Sequence, residues 1–334
     1  MIFIAISLSC VSAADVDDAH NNVDMLSEKS NMSVNDNVGT FTELKGKINN
    51  GVNEFKLDKD YKFNSTKDNG KEFEEWGIKV TRNNYVIDGQ GHIIDGSGKA
   101  GLLYLLGENI TVKNINFING NARYSVVSCY GDYEIFDGCN FTNNTALLDS
   151  GALSIDGGIV SNCNFDHNRG DAGAVNSAWD DIIIVNCTFT NNVGNTGALD
   201  LCCNAIVDNC TFYNNVASEN EGGAINSNHQ LTIKNSKFYQ NSAKKGAAIY
   251  CNRITNISNC QFVNNSASSS GTVYVYNQIL NIENSTFMNN TAEDGTNDVA
   301  LNGENAALNV DDSSLINLEK IRVSNQSMIS THSS

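Results

Sequence analysis

Residues 184–215 read IVNCTFTNNVGNTGALDLCCNAIVDNCTFYNN, and the phrase apolar-x-Asn-Cys-Thr-Phe-x-Asn-Asn occurs in them twice, with phenylalanines at 189 and 212. With Ser also allowed at the Cys position, and Ile in the first copy, the phrase extends in both directions. Upstream lie VKNINFING from Val112, FDGCNFTNN from Phe136 and VSNCNFDHN from Val160. Downstream lie IKNSKFYQN from Ile233, ISNCQFVNN from Ile257 and IENSTFMNN from Ile282. The eight phenylalanines at 117, 141, 165, 189, 212, 238, 262 and 287 are spaced by 24, 24, 24, 23, 26, 24 and 25 residues. A second phrase sits between them: Gly151-Ala-Leu, Gly173-Ala-Val, Gly197-Ala-Leu, Gly223-Ala-Ile, Gly246-Ala-Ala-Ile and Gly271-Thr-Val. Such a steady period marks a repeat architecture.

Within each period only short alternating stretches occur, such as Leu231-Thr-Ile233 and Val273-Tyr-Val275, separated by Asn and Gly. Helical periodicity is absent there. About 24 residues of strand and turn form one rung of a right-handed parallel β-helix, with three short strands expected per rung and about ten rungs in the chain. Rungs then stack at about 4.8 Å, the ordinary spacing of paired strands. The repeated Phe and the apolar residue five before it are expected to point inward. Cys139, Cys163, Cys187, Cys210 and Cys260 share one rung position with Ser236 and Ser285, so a small side chain is required there. The Asn three residues after Phe (144, 168, 192, 215, 241, 265 and 290) is expected in a tight turn, in a left-handed conformation, with its amide bonding adjacent rungs. The chain contains no Pro, in keeping with strands whose every N–H is a ladder donor.

An open β-helix end exposes core and strand edges. Thr40 with Glu43 makes a capping box, and Phe41, Leu44 and Ile48 fall on one helical face, so a short amino-terminal capping helix is expected. Phe55-Lys-Leu57, Tyr85-Val-Ile87 and the turn-rich VIDGQGHIIDGSG from Val86 supply the first, irregular rungs. Residues 1–14 form an apolar run ending in small residues, which reads as a signal peptide without the usual basic start. Residues 15–39 read as a disordered acidic spacer, 40–310 as the parallel β-helix, and 311–334 as a frayed tail. No stretch is long and apolar enough for a membrane span, and the expected location is secreted or cell-surface.

The 334 residues carry 38 acidic and 21 basic side chains, a formal net charge of −17, which excludes nucleic acid as a partner. The paired phrases F-x-x-N and G-G-A-[ILV] resemble the repeats of chlamydial polymorphic outer-membrane proteins. The whole of residues 40–295 is similar to the adhesin-like right-handed β-helix proteins of methanogenic archaea: the opening from Thr40 to Leu44, the turn from Val86 to Gly96, and the Phe-centred rungs. Full G-G-A-I occurs only at Gly222 to Ile225, and Gly120 replaces the Asn of the first rung. The resemblance implies a surface or secreted protein with a role in adhesion.

Three functions compete on this frame, because parallel β-helices host unrelated activities. Aligned on the Gly-Ala phrase, the outward positions of one sheet are Ser154, Asn176, Asp200, Asn226, Tyr250 and Tyr274, followed two residues on by Asp156, Ala178, Cys202, Asn228, Asn252 and Tyr276. Exposed rings beside amides suit sugars, so Tyr250, Tyr274, Tyr276, Asn226, Asn228 and Asn252 form the expected glycan-binding face. The second function is a polysaccharide lyase or glycoside hydrolase of the pectin-active type, for which Asp180, Asp181 and Asp200 are the candidate acids. Asp149, Asp171 and Asp200 occupy comparable places in successive rungs and could gather a cation, yet the G-H-G and R-x-K motifs of polygalacturonases are absent. The third is a passive surface-layer or stalk component. The cysteines follow the rung period without C-x-x-C, the five His are scattered, and neither a metal nor a cofactor is expected. Twelve N-x-[ST] sequons arise mostly from the repeat phrase itself.

Overall fold

The structure, a computed structural model, describes residues 37–317, 321–323 and 328–332. The segment read as a signal peptide and nearly all of the segment read as an acidic spacer lie outside the described residues. From Gly39, which bridges Tyr61, the chain winds into a right-handed parallel β-helix of about ten rungs. The rung around Phe189 is representative. Ile182–Val185 joins a 12-stranded sheet and Thr188–Thr190 a 10-stranded one, here called the phenylalanine sheet. Val193–Gly194 joins an 8-stranded sheet of very short strands, and Leu199–Leu201 an 11-stranded one, here called the tyrosine sheet. The eight Phe-centred rungs thus carry four strands instead of the expected three, because the small residues after the turn pair briefly before the chain bends again, while the two rungs before them carry three.

Adjacent rungs pair in register, Phe141 with Phe165, Phe165 with Phe189 and Phe189 with Phe212. The eight rings are fully or nearly buried and stack in one ladder with centroids 4.6–4.9 Å apart, the inter-strand spacing itself. The five ladder cysteines are buried beside them, and their thiols donate to main-chain carbonyls, as Cys187 does to Val160 at 3.5 Å.

The turn asparagines differ from expectation. The left-handed residues lie two after and three before each Phe, for example Asn191 (φ 56°) and Asn186 (φ 55°) around Phe189. The Asn three after Phe is instead fully buried. Asn192 Nδ2 donates to Phe165 O at 2.9 Å and to Asn215 Oδ1 at 3.0 Å, while its own Oδ1 accepts from Asn168 N and Nδ2 at 3.0 Å. Its amide does bond the rungs on both sides. An Asn–Asn pair at the corner therefore divides two tasks: the first adopts αL, which Asn tolerates, and the second satisfies main-chain groups that the bend would orphan.

The amino-terminal end is plugged as expected by α1 (Phe41–Ile48), whose Phe41, Leu44 and Ile48 are buried and whose first turn is capped by Thr40 Oγ1 accepting from Glu43 N at 3.2 Å. Asp68 also accepts from Thr42 N at 2.8 Å. A second helix, α2 (Gly70–Trp76), stands where irregular rungs were expected; its Phe73 meets Phe41 edge-on at 5.6 Å. At the other end the tail departs from the frayed reading. A third helix, α3 (Asp312–Asn317), is followed by Ile321–Val323 and Met328–His332, which pair with Val299–Asn302 and Ala307–Asp311.

One core position breaks the apolar pattern. Glu134 occupies an inward ladder position that it shares with Tyr85 and Ile110 before it and Gly158, Ile182 and Ala205 after it, is 0% exposed, and has no hydrogen-bond partner at either carboxylate oxygen. Burial, with smaller repulsion from Asp132, Asp156 and Glu108, pushes its pKa up to about 7.

Candidate functional site: the outer face of the tyrosine sheet

Register in the tyrosine sheet aligns one outward-directed residue per rung: Tyr104, Ser128, Ser154, Asn176, Asp200, Asn226, Tyr250 and Tyr274. The stripe read from the Gly-Ala phrase therefore exists and extends three rungs further toward the amino terminus, through Ser128 and Tyr104 to the exposed Lys79. Six steps of about 4.8 Å place Tyr104 and Tyr250 roughly 29 Å apart. Aromatic residues thus stand toward both ends, with Lys79 beyond Tyr104 and two serines, two asparagines and Asp200 between Tyr104 and Tyr250.

The carboxy-terminal end differs from expectation at Tyr274, which is only 3% exposed. Its ring stacks on Tyr250 at 5.4 Å, Lys245 Nζ lies 5.4 Å from its centroid, and its hydroxyl accepts from Asn302 Nδ2 at 3.1 Å. Those partners cover it, so Tyr274 supports the face without presenting a ring. Tyr250 is half-buried and Tyr276 is 49% exposed. Asn252 Nδ2 donates to Asn228 Oδ1 at 2.9 Å, and Asn226 Nδ2 to Asp200 Oδ1 at 2.9 Å, so these amides run along the stripe.

Of the candidate acids, Asp180 and Asp181 are exposed on the loop that leaves the sheet, with Asp181 Oδ1 accepting from Asn204 Nδ2 at 3.0 Å. The structure does not join them to Asp200. The carboxylates acting on Asp200 are Asp171 and Asp149, and burial together with their charge pushes its pKa up to about 6. Asp149 Oδ1 accepts from Asn176 Nδ2 at 2.9 Å and from Ser150 N at 2.7 Å. Asp156 is raised by burial and by Asp149, Asp132 and Asp180. Among the described residues no Lys, Arg or His pairs with Asp149, Asp156, Asp171, Asp180 or Asp200. Nor does any group of three or more His, Cys, Asp or Glu among them have the arrangement to hold a metal ion, so the triad of Asp149, Asp171 and Asp200 does not form a cation site.

The amino-terminal end holds what sequence reasoning missed. Trp76, the last residue of α2, stacks on Tyr104 (4.8 Å, 26°) and on Tyr124 (4.4 Å, 16°). Tyr130 stands edge-on to Trp76 at 6.0 Å and to Tyr104 at 5.5 Å, and it is 54% exposed. Gly77 sets this geometry. It caps α2 at φ 83°, and a Cβ there would lie 2.5 Å from the main chain of Gly101 and Leu102, so the helix end seats directly on the next rung. Burial raises the Tyr130 hydroxyl pKa, with further contributions from Tyr104, Asp149 and Asp156. Tyr130 and Asp156 each lie two residues beyond the paired Ser128 and Ser154, so the ring cluster and the carboxylates adjoin. Counting one rung back from Ser128 would have found Tyr104; nothing in the spacing of Trp76 or Tyr124 signals their arrival.

Residues 125–287, just under half of the chain, match the family model of the right-handed β-helix region. No curated protein matches the sequence. Among solved structures, the fold is similar to an alginate lyase, AlyF-OU02, in complex with G6 (TM-score 0.52, 11% identity, covering 88% of this chain and 82% of that one). A bacteriophage CBA120 tailspike protein is matched more loosely (TM-score 0.37, 11% identity, 85% of this chain and 53% of that one). No helix among the described residues is long and apolar enough to cross a membrane. Family match and strand topology together identify the chain as a right-handed parallel β-helix.

Proposed function

We propose that this is an extracellular, adhesin-like protein that binds a glycan chain along the outer face of the tyrosine sheet. The observation that carries the reading is the stripe itself: partly exposed rings toward both ends, with hydroxyls, amides and a carboxylate in register between them. A sugar ring offers an apolar face to an aromatic side chain and a rim of hydroxyls to amide and carboxylate acceptors. The stacked rungs hold these groups rigid, so little ordering cost opposes binding. Likeness to a polysaccharide-active enzyme supports glycans as the ligand class.

A second reading, hydrolysis of the bound glycan, is favoured by one observation: Asp200, pushed up to about 6 by burial, lies near the carboxylates of Asp171 and Asp149, and such chemistry needs an acid beside a base. A lyase acting on polyuronates is less well supported, because the acids of this face repel a polyanion. The test is saturable retention of the purified protein on a panel of immobilised neutral, amine-bearing and uronate polysaccharides. Retention on one class, lost in the combined Tyr130→Ala and Tyr276→Ala variant, is the expected result. No retention on any class overturns the reading and leaves a passive stalk. Release of soluble sugars that stops in Asp200→Asn would instead favour the hydrolase.

A further inference from the structure

Beyond the general face, the aromatic corner differs from the rest of the stripe in its charge. Four rings (Trp76, Tyr104, Tyr124 and Tyr130) pack together, with Tyr130 more than half exposed. Ser128 pairs with Ser154, so Tyr130 and Asp156, each two residues on, take the same place on adjacent rungs, and Asp149 is held to the stripe by Asn176 Nδ2 at 2.9 Å. The charges of Asp149 and Asp156 act on the Tyr130 hydroxyl. Among the described residues these acids have no cationic partner, as the ion pairs lie elsewhere, chiefly around α1 and the first rungs. Two cations stand at the other rings of the cluster: Arg123 over Tyr124, 5.7 Å from its centroid, and the exposed Lys79 in register beside Tyr104, so the acids are the charges next to Tyr130 alone. An exposed ring edged by unpaired carboxylates attracts positive charge twice over: through the quadrupole of its face and through the field of the acids.

We infer that the corner formed by Tyr130, Tyr104, Trp76 and Tyr124 with Asp149 and Asp156 is a binding site for a cationic, amine-bearing sugar of a glycan chain. This rests on the glycan-binding reading and narrows its ligand class. The sugar ring packs against Tyr130, its ammonium group lies toward Asp149 and Asp156, and the remaining chain follows the stripe toward Asn176 and Asn226. A uronate chain is repelled at the same place. A neutral chain keeps the ring contact and loses the charge.

Trp76 makes the site its own reporter, since the chain has two tryptophans and Trp179→Phe removes the other, which is 79% exposed on its loop. Fluorescence titrations of Trp179→Phe protein at neutral pH would use three hexasaccharides: trimethylated glucosamine, whose charge does not titrate, N-acetylglucosamine, and a uronate. The cationic hexamer is expected to perturb Trp76 and to bind about tenfold more tightly than the neutral one, with the uronate weakest. Tyr130→Ala is expected to lower the cationic affinity about tenfold, and Tyr130→Phe to retain it. Asp156→Asn is expected to weaken the cationic hexamer severalfold and leave the neutral one unchanged. Equal or tighter binding of the neutral hexamer, still dependent on Tyr130, overturns the cationic class while the glycan-binding reading stands. Retention on a polysaccharide without any change at Trp76 overturns the site alone. Preference for a lysine-rich peptide over every sugar overturns the glycan class. No binding of any glycan removes the underlying reading as well.

Discussion

Replacing Glu134 by Gln should flatten the pH dependence of stability in the early rungs. The carboxyl is fully buried without a partner, and its pKa stands at about 7 against 4.5 for an ordinary Glu. A raised folded-state pKa means that the native state holds the proton more tightly than the unfolded chain. Stability is therefore highest below about pH 4.5, falls as pH rises through the interval to about 7, and is level beyond it. A difference of about 2.5 units corresponds to a loss of about 3 kcal/mol across that window. Other carboxylates titrate in the opposite sense, among them Asp311 and Asp58, both lowered to about 2. The informative quantity is thus the difference between wild type and Glu134→Gln at about pH 4 and about pH 8. Repeat proteins need not unfold in one step, so the local opening free energy of Glu134–Asp137 should be read by native-state hydrogen exchange beside global denaturation. Wild type should lose about 3 kcal/mol more than the variant between the two conditions. Parallel pH profiles for the two proteins would refute the argument, showing that the carboxyl is solvated or paired.

Three further outcomes follow from the ladders. Asn192→Ala removes the acceptor of Asn168 N and the donor to Phe165 O, both buried, and should cost about 3–5 kcal/mol by thermal or urea denaturation; Asn191→Gly, at a position with φ 56°, should cost far less. Phe189→Ala opens a gap between rings stacked at 4.9 and 4.8 Å and should cost about 3–5 kcal/mol, with hydrogen exchange accelerated most in the adjoining rungs. Under native conditions a thiol reagent should modify Cys202 before the other described cysteines, which are buried; equal labelling of the Cys139–Cys210 ladder would show that the rungs open readily.

The repeat of Phe, Asn and small residues was enough to read the architecture, because in a solenoid each rung contacts only its neighbours and sequence distance maps onto one axis. Period gave register: Phe189 meets Phe165 and Phe212 because the spacings are 24 and 23 residues. It likewise gave the outward alignment of Asp200, Asn226 and Tyr250. Where the corner reads Asn-Asn, as at Asn191-Asn192, the sequence could not say which of the two takes the left-handed backbone, since both are the same amino acid. Nor could period tell whether an outward tyrosine is bare or covered. Tyr274 and Tyr276 lie two residues apart on one strand, yet Lys245 and Asn302 bury only the first. The aromatic corner was illegible for the same reason. Trp76 comes from a helix outside the repeat and reaches Tyr104 and Tyr124 only because Gly77 lets that helix end rest against the next rung. Local repetition dictates contacts at a fixed sequence separation. Where a site is assembled from residues at irregular separations, only the packing of the cap against the rungs decides it.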